Sequence, residues 1–418
     1  MITITSQPQK FTPVRNNPVP FQVVSDRGTI LYFYIQVLAS DNSVIATQKY
    51  YPLPYIPLGT YFDLSSILSN YVEYQLANSD NIIEPVNDVA LSFKLQITEY
   101  YNSIGTITAG DTLTTGLYTL WNGEIKRTDF TDYDYRNFAI TSVYTGTTKF
   151  LTGGQPLVNN IYKDSTEYLY FLNDGVNAKV RFDFYGQNNV LVSTQYITGV
   201  TSSQKADRIN ISPGILANYF GTDFSSLFGH QFQIQFALQF GDAIKLLNSY
   251  YYTVQLTDTS GNTLTEKRTY VLKDASKCRK SFQLMFSNTD GGYSSLALFN
   301  PKETVSVDRT TINRYPYALN SAGVVSDINN GVYNETTSII NTNTSSQYTA
   351  ITDVLSDDTA KWLRNTITAE KVFVRLNNGR YYPVSLSNSS YSVKQKKYST
   401  DNNRLEITFK SDVVGLFD

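Results

Sequence analysis

Four stretches of this chain occur twice, in the same order. LYFYIQV (31–37), DNSVIATQKY (41–50), TYFDLSSILSNYV (60–72) and FKLQI (93–97) return as AKVRFDF (178–184), QNNVLVSTQY (187–196), DRINISPGILANYF (207–220) and FQIQF (232–236). Thr47 aligns with Thr194, and Asn70-Tyr71 with Asn218-Tyr219. A repeat this long is a whole domain rather than a solenoid unit, and it dictates the fold reading. Each copy reads as strand, turn, strand, short helix, strand. An active site carried in a duplicated unit would show its chemistry twice, and none does, so the sequence speaks for architecture before reaction.

The residues that fill these copies suit sheets. The chain carries 33 Tyr and 23 Phe against 2 Met, 1 Cys and 1 His. Tyr, Phe, Val, Ile and Thr fit pleated, half-buried surfaces. Only 17% of residues are charged, so Ser, Thr and Asn supply a neutral, hydrogen-bonding exterior. A formal net charge of −2 lacks the Lys and Arg surplus that displaces counterions from nucleic acid, which argues against such a partner. A single Cys excludes an internal disulfide framework and fits synthesis in a reducing cytoplasm. The opening MITITSQPQKFTPV shows no charged region followed by an apolar core, and no stretch reaches the ~18 apolar residues of a membrane span.

The 418 residues predict two to four domains. Residues 1–29, punctuated by Pro8, Pro13, Pro18 and Pro20, read as an extended arm or edge, either a frayed terminus or a segment lying on a neighbouring subunit. Residues 30–125 form a first β-sandwich, 126–165 a connector, and 166–276 a second sandwich. Leu91, Phe93, Leu95 and Ile97 alternate with polar residues, as do Phe232, Ile234, Phe236, Leu238 and Phe240. Asp63 is placed to cap a short helix ending at Leu68, and Ser212-Pro213 opens another. Residues 277–418 form a smaller β-rich domain with a short helix at Trp362, a hairpin signal at Asn377-Asn378-Gly379 and a long polar loop over 318–348. The fold class is all-β: tandem sandwiches with a few short helices, an up-and-down barrel for either module being the alternative.

The search for chemistry returns little. His230 stands alone, so no His-based triad or histidine metal cluster exists. Cys278 lies between Lys277 and Arg279-Lys280, where positive charge favours thiolate, but it has no His to act as base. Asp129, Asp132 and Asp134 have oxygen-ligand spacing without the central Gly and distal Glu of a calcium loop. No glycine-rich phosphate loop occurs. The runs Tyr50-Tyr51, Tyr100-Tyr101 and Tyr250-Tyr251-Tyr252 place neighbouring rings on opposite sheet faces, the outward ones suited to interfaces or sugar stacking. No catalytic, cofactor-binding or metal-binding residue is expected, and no enzyme activity.

Three stretches carry a resemblance. They are Asn17-Pro18-Val19-Pro20-Phe21 with Ser25-Asp26 and Tyr61-Phe62-Asp63-Leu64; Phe286-Ser287-Asn288-Thr289-Asp290-Gly291-Gly292-Tyr293; and Trp362-Leu363, Val372-Phe373-Val374, Tyr382-Pro383-Val384 and Ser390-Tyr391 through Ile407-Thr408-Phe409-Lys410-Ser411. In this order they resemble the β-rich structural proteins of tailed bacteriophages of Bacteroidetes hosts, crAss-like phages included. The resemblance implies a virion component of the tail, baseplate or neck, assembled in the host cytoplasm. Its partners would be copies of itself in a symmetric ring and other virion proteins, with residues 1–29 and 318–348 ordering only on assembly. Competing readings are a receptor-binding protein that recognises host glycans, a polysaccharide depolymerase and a host cell-surface protein.

Overall fold

The computed structural model describes all residues except 57, 78, 144–146, 187–188, 221–250, 274–280, 315–317, 320–321, 324, 327, 330–331, 334, 377–378, 388–403, 412, 414–415 and 418. His230, Cys278, Tyr250, the 232–240 strand, Asn377-Asn378 and Ser390-Tyr391 therefore lie outside the described residues. The rest is an all-β protein with few and short helices.

The first module begins at the N-terminus. Strands β1 (Ile2–Ser6), β2 (Phe11–Pro13) and β3 (Pro20–Ser25) precede β4 (Ile30–Ala39), β5 (Val44–Tyr50) and β6 (Gly59–Asp63). Helix α1 (Ser65–Leu68), β7 (Ile83–Pro85), β8 (Ala90–Ser103), β9 (Thr106–Thr114) and β10 (Tyr118–Trp121) complete it. One sheet runs β1-β3-β6; the facing sheet runs β2-β10-β8-β4-β5, with β9 on β8. Between them pack Phe21, Val23, Phe33, Ile35, Phe62, Phe93, Leu95 and Ile97. The alternation of β8 delivers its odd-numbered residues to this core, as a period of two requires.

Residues 1–29 are thus part of the sandwich, not an arm. Phe21 is fully buried, with Phe62 stacked at 5.6 Å and Tyr118 edge-on at 5.3 Å. The prolines sit where a donor is dispensable: Pro13 ends edge strand β2 and Pro20 opens β3. Asp63 accepts from the Ser65 amide (2.9 Å) and from Val19 N–H (2.8 Å), so it ties the helix start to the segment entering β3.

The second module repeats the plan. Its strands are β11 (Ala139–Ile140), β12 (Val158–Tyr162), β13 (Tyr168–Asn173), β14 (Ala178–Tyr185), β15 (Leu191–Val200) and β16 (Ala206–Asn210), then helix α2 (Pro213–Tyr219), β17 (Tyr251–Asp258) and β18 (Arg268–Lys273). The order β12-β18-β17-β14-β15 matches β2-β10-β8-β4-β5, including the parallel edge pair. Gln36 faces Thr47 and Asp183 faces Thr194, so the aligned residues also share register. One alignment changes. The strand beside β14 is β17, with Phe182 facing Val254 as Ile35 faces Ile97, so the counterpart of 93–97 is in β17 rather than in 232–236. The second sheet, β11-β13-β16-β7, borrows β7 from the first module. The 126–165 segment read as a connector accordingly supplies β11 and β12 to the second sandwich.

The third unit is built on one seven-stranded sheet, with two separate strand pairs. It contains β19 (Ser281–Ser287), β20 (Tyr293–Asn313), the short pairs β21 (Ala318–Leu319) with β22 (Val325–Ser326) and β23 (Ile328–Asn329) with β24 (Val332–Tyr333), and β25 (Thr337–Ile351). Helices α3 (Asp357–Trp362) and α4 (Arg364–Ile367) follow, then β26 (Val372–Arg375), β27 (Tyr381–Pro383), β28 (Ser385–Leu386) and β29 (Glu406–Ser411). The order is β27-β26-β19-β20-β25-β29-β28. Trp362 and Leu363 pack on the sheet through Phe286 and its neighbours. The polar stretch 318–348 is not all loop: from Thr337 it is β25, which pairs with β20 from Asn313 back to Lys302, and among the described residues Ser306–Asn313 with Thr337–Ser345 stands as a two-stranded ribbon.

Candidate functional site

The three units meet at the Phe286–Tyr293 segment. Asn288 holds its own turn by accepting from the Asp290 (3.0 Å) and Gly292 (3.2 Å) amides, while its Nδ2 donates to Leu151 O (3.1 Å). From the first module, Tyr74 donates its hydroxyl to Asn288 O (3.0 Å) and Glu124 its amide to Thr289 O (2.7 Å). From the second, Gly153 N–H donates to Asp290 Oδ2 (2.7 Å). Asn365 and Trp362 close the ring by donating to Gly153 O (2.6 Å) and Thr152 O (3.0 Å). The paired glycines follow from this crowding. Gly291 has φ +92, and a Cβ there would lie 2.5 Å from Asn122 O; one on Gly292 would lie 2.8 Å from Leu151 O.

Beside this junction a cleft of about 1150 Å³ opens between the second sandwich and the third sheet. One wall is the 153–162 segment including β12; the other is the turn into α3 and the face of that helix. At its floor lie Gln155, Glu167, Tyr270 and Ser295. Ser295 donates to Glu167, and Gln283 pairs with the main chain of Thr166 (2.6 and 3.0 Å) in the manner of a strand. Arg268 is buried behind the floor, bonded to Glu266 Oε1 (2.7 Å), Gln155 O and Oε1 (both 3.0 Å) and Pro156 O (2.7 Å). The Tyr270 hydroxyl is buried beside the Arg268 guanidinium. Burial pushes the Glu167 carboxyl up to about 7, against the opposing pull of the Ser295 hydroxyl and the Arg268 charge. Burial likewise lifts Asp290 to about 6, and Asp207, whose two oxygens have no hydrogen-bond partner among the described residues, to about 7.

The sequence candidates do not converge. Asp134 grips Arg136 through both carboxylate oxygens (2.6–3.0 Å), and Asp129 accepts from the Thr128 hydroxyl (2.9 Å). Among the described residues no group of three or more His, Cys, Asp or Glu is disposed to hold a metal. The tyrosine runs split as their alternation requires. Tyr252 is buried, whereas Tyr251 stacks on Tyr185 at 4.5 Å; Tyr50 packs on the first core, whereas Tyr51 is 64% exposed. Tyr34, Tyr100, Tyr32 and Tyr51 make a continuous aromatic row on one sheet face, with centroids 4.8–6.4 Å apart, and Lys49 lies over Tyr32. The floor residues Glu167, Arg268 and Tyr270 were not singled out from sequence. The available signal was a glutamate abutting the apolar run Tyr168–Leu172, where a charge is costly unless satisfied.

Among the described residues no helix is long and apolar enough to cross a membrane. No protein-family model matches the chain, and no curated protein matches it. Among solved structures, the crystal structure of dimeric latent PorU from Porphyromonas gingivalis aligns over 84% of this chain and 32% of that one, at 9% identity and a TM-score of 0.18. The chain spans about a third of the length of that structure, and a likeness of this degree carries no argument about fold or function.

Proposed function

We propose that this chain is a multi-copy structural component of a tailed-bacteriophage virion, in the tail, baseplate or neck, acting as an assembly adaptor without catalysis. The observation that carries the reading is the β20–β25 ribbon. Every residue from Lys302 to Asn313 is exposed, and so are Ile339 to Ser345 on the returning strand. A lone two-stranded ribbon is marginally stable in water and adds nothing to a monomer's core. Its use is contact with another molecule. The three-way junction supports the same reading, because an adaptor must pass load between its domains without letting them swing. The resemblance in the Phe286–Tyr293 and Trp362–Ser411 stretches supplies the virion setting.

Light scattering across a concentration series tests this. A discrete mass several times that of the chain, constant over the series, is the expected result. A monomer at every concentration would refute self-assembly. A second reading, binding of host-surface glycans, is favoured by the row Tyr34-Tyr100-Tyr32-Tyr51, whose rings present apolar faces and hydroxyl rims.

A further inference from the structure

The duplication allows the same edge to be compared in two settings. In each module one sheet ends on a short strand paired in parallel, β2 in the first and β12 in the second. The β2 edge is covered by its own chain. Phe11, Thr12 and Pro13 are all buried, Tyr133 donates its hydroxyl to Phe11 O (2.8 Å), and Tyr135 stacks on the Phe11 ring at 5.8 Å. The Gln9 side chain completes the cover by bonding the main chain of Tyr133 and Tyr135. The β12 edge instead opens into the cleft, where Leu157 is 49% and Val158 60% exposed.

The bonding on β12 fixes which groups are free. Leu157 O accepts from Thr269 N–H (2.7 Å) and Lys163 N–H donates to Lys273 O (3.3 Å). In a strand, alternate residues point their main-chain groups to opposite sides. The odd-numbered residues therefore face β18, and the N–H and C=O of Val158 and Asn160 face the cleft. Tyr162, next in that series, has its groups satisfied by Ser165 (3.3 and 2.8 Å). What remains at Val158 and Asn160 is, among the described residues, a short, unfilled template for an added strand. The cleft also exceeds the ~300–1,000 Å³ of ordinary small-molecule pockets.

The ribbon is its counterpart. Among the described residues, no strand flanks β20 beyond Lys302 or β25 before Ser346: the described part of β19 ends opposite Phe299 and that of β29 opposite Ser346. At ~3.4 Å per residue the twelve residues from Lys302 to Asn313 reach about 40 Å. Val305, Val307, Ile312, Ile339 and Ile340 stand 41–56% exposed along it. We propose that the ribbon of one copy adds a strand to the β12 edge of the next copy, inside the cleft. Such a contact is head-to-tail, and successive copies close a ring where the rotation permits. The inference rests on the multi-copy reading and names its interface.

The test uses the full chain and two variants. Asn160→Pro removes one outward donor and leaves the bonds to β18, which belong to Asn159 and Ile161. Replacing residues 307–344 with Asn-Gly joins the paired Ser306 and Ser345 by a two-residue turn and spares the third core. The assembled wild type should protect the Val158 and Asn160 amides from exchange. Each variant should keep the wild-type melting behaviour while weakening assembly at least about tenfold, the effect of one good hydrogen bond. The shortened variant should also lose protection at both amides. An assembled wild type whose mass survives either variant, or whose two amides exchange freely, assigns the cleft to another occupant and overturns the inference while self-assembly stands. A wild type that never assembles overturns both.

Discussion

Replacing Glu167 with Gln isolates the acid at the floor of the cleft, which joins the start of β13 to Ser295 of the third sheet. Burial pushes its carboxyl from an ordinary 4.5 up to about 7. Between those values the folded chain keeps the proton that the unfolded chain has released, so folding is favoured by acid. Below pH 4.5 both states are protonated and the contribution of Glu167 is fully present. As pH rises towards 7 it is lost, and above that the loss is complete. At 1.36 kcal/mol per pH unit, the difference amounts to about 3 kcal/mol across this window. Gln has nearly the same shape, still accepts from Ser295 and does not titrate. The two proteins should therefore be of similar stability at pH 4.5, and the variant more stable by about 3 kcal/mol at pH 7.5. Asp207 and Asp290 titrate in the same sense in both proteins, so they cancel in the comparison. Urea titrations at pH 4.5, 5.5, 6.5 and 7.5 would measure it by tryptophan fluorescence, since Trp121 and Trp362 are both buried near the junction. Curves that stay parallel for the two proteins at all four pH values would refute the reasoning.

Two further substitutions test the junction and the N-terminal strands. Gly291→Ala places a Cβ 2.5 Å from Asn122 O at φ +92, so it should lower stability by more than ~1 kcal/mol, read as a fall in melting temperature; an unchanged melt would show that the three-way contact is soft. Phe21→Ala should cost about 3–5 kcal/mol in the isolated chain because Phe21 lies between the two sheets of the first module, whereas a segment that orders only on a partner would tolerate it in urea titration.

Much of this architecture follows from local pattern. The alternation of Phe93, Leu95 and Ile97 sets which face of β8 is buried, and the Gln36–Thr47 and Asp183–Thr194 pairs carry the duplication into register. The Ser212-Pro213 start of α2 and the turn at Thr257–Asn262, where Asp258 accepts from the Ser260 and Asn262 amides (2.8 and 2.7 Å), are likewise local chemistry. The same local rules misplace the N-terminus. Prolines mark a strand edge, but they do not distinguish an edge closing its own sandwich from one lying on a neighbour; only the apolar face of Phe21 and Val23 against Phe62 decides that. The ribbon was hidden for the opposite reason. Apart from the adjacent Ile339 and Ile340, which fall on opposite faces, residues 337–345 are polar, so no period of two announces a strand, and pairing with β20 makes them one.

The sequence by itself determined the all-β class and the doubling, because period and register are properties of neighbouring residues. Tertiary structure alone decided which distant groups meet. Glu167, Arg268 and Ser295 come together because separate strands cross at one place. Two equivalent edges, β2 and β12, differ in exposure only because the chain after one of them folds back as a cover. Burial is a property of that packing, and so are the raised acids and the open edge that follow from it.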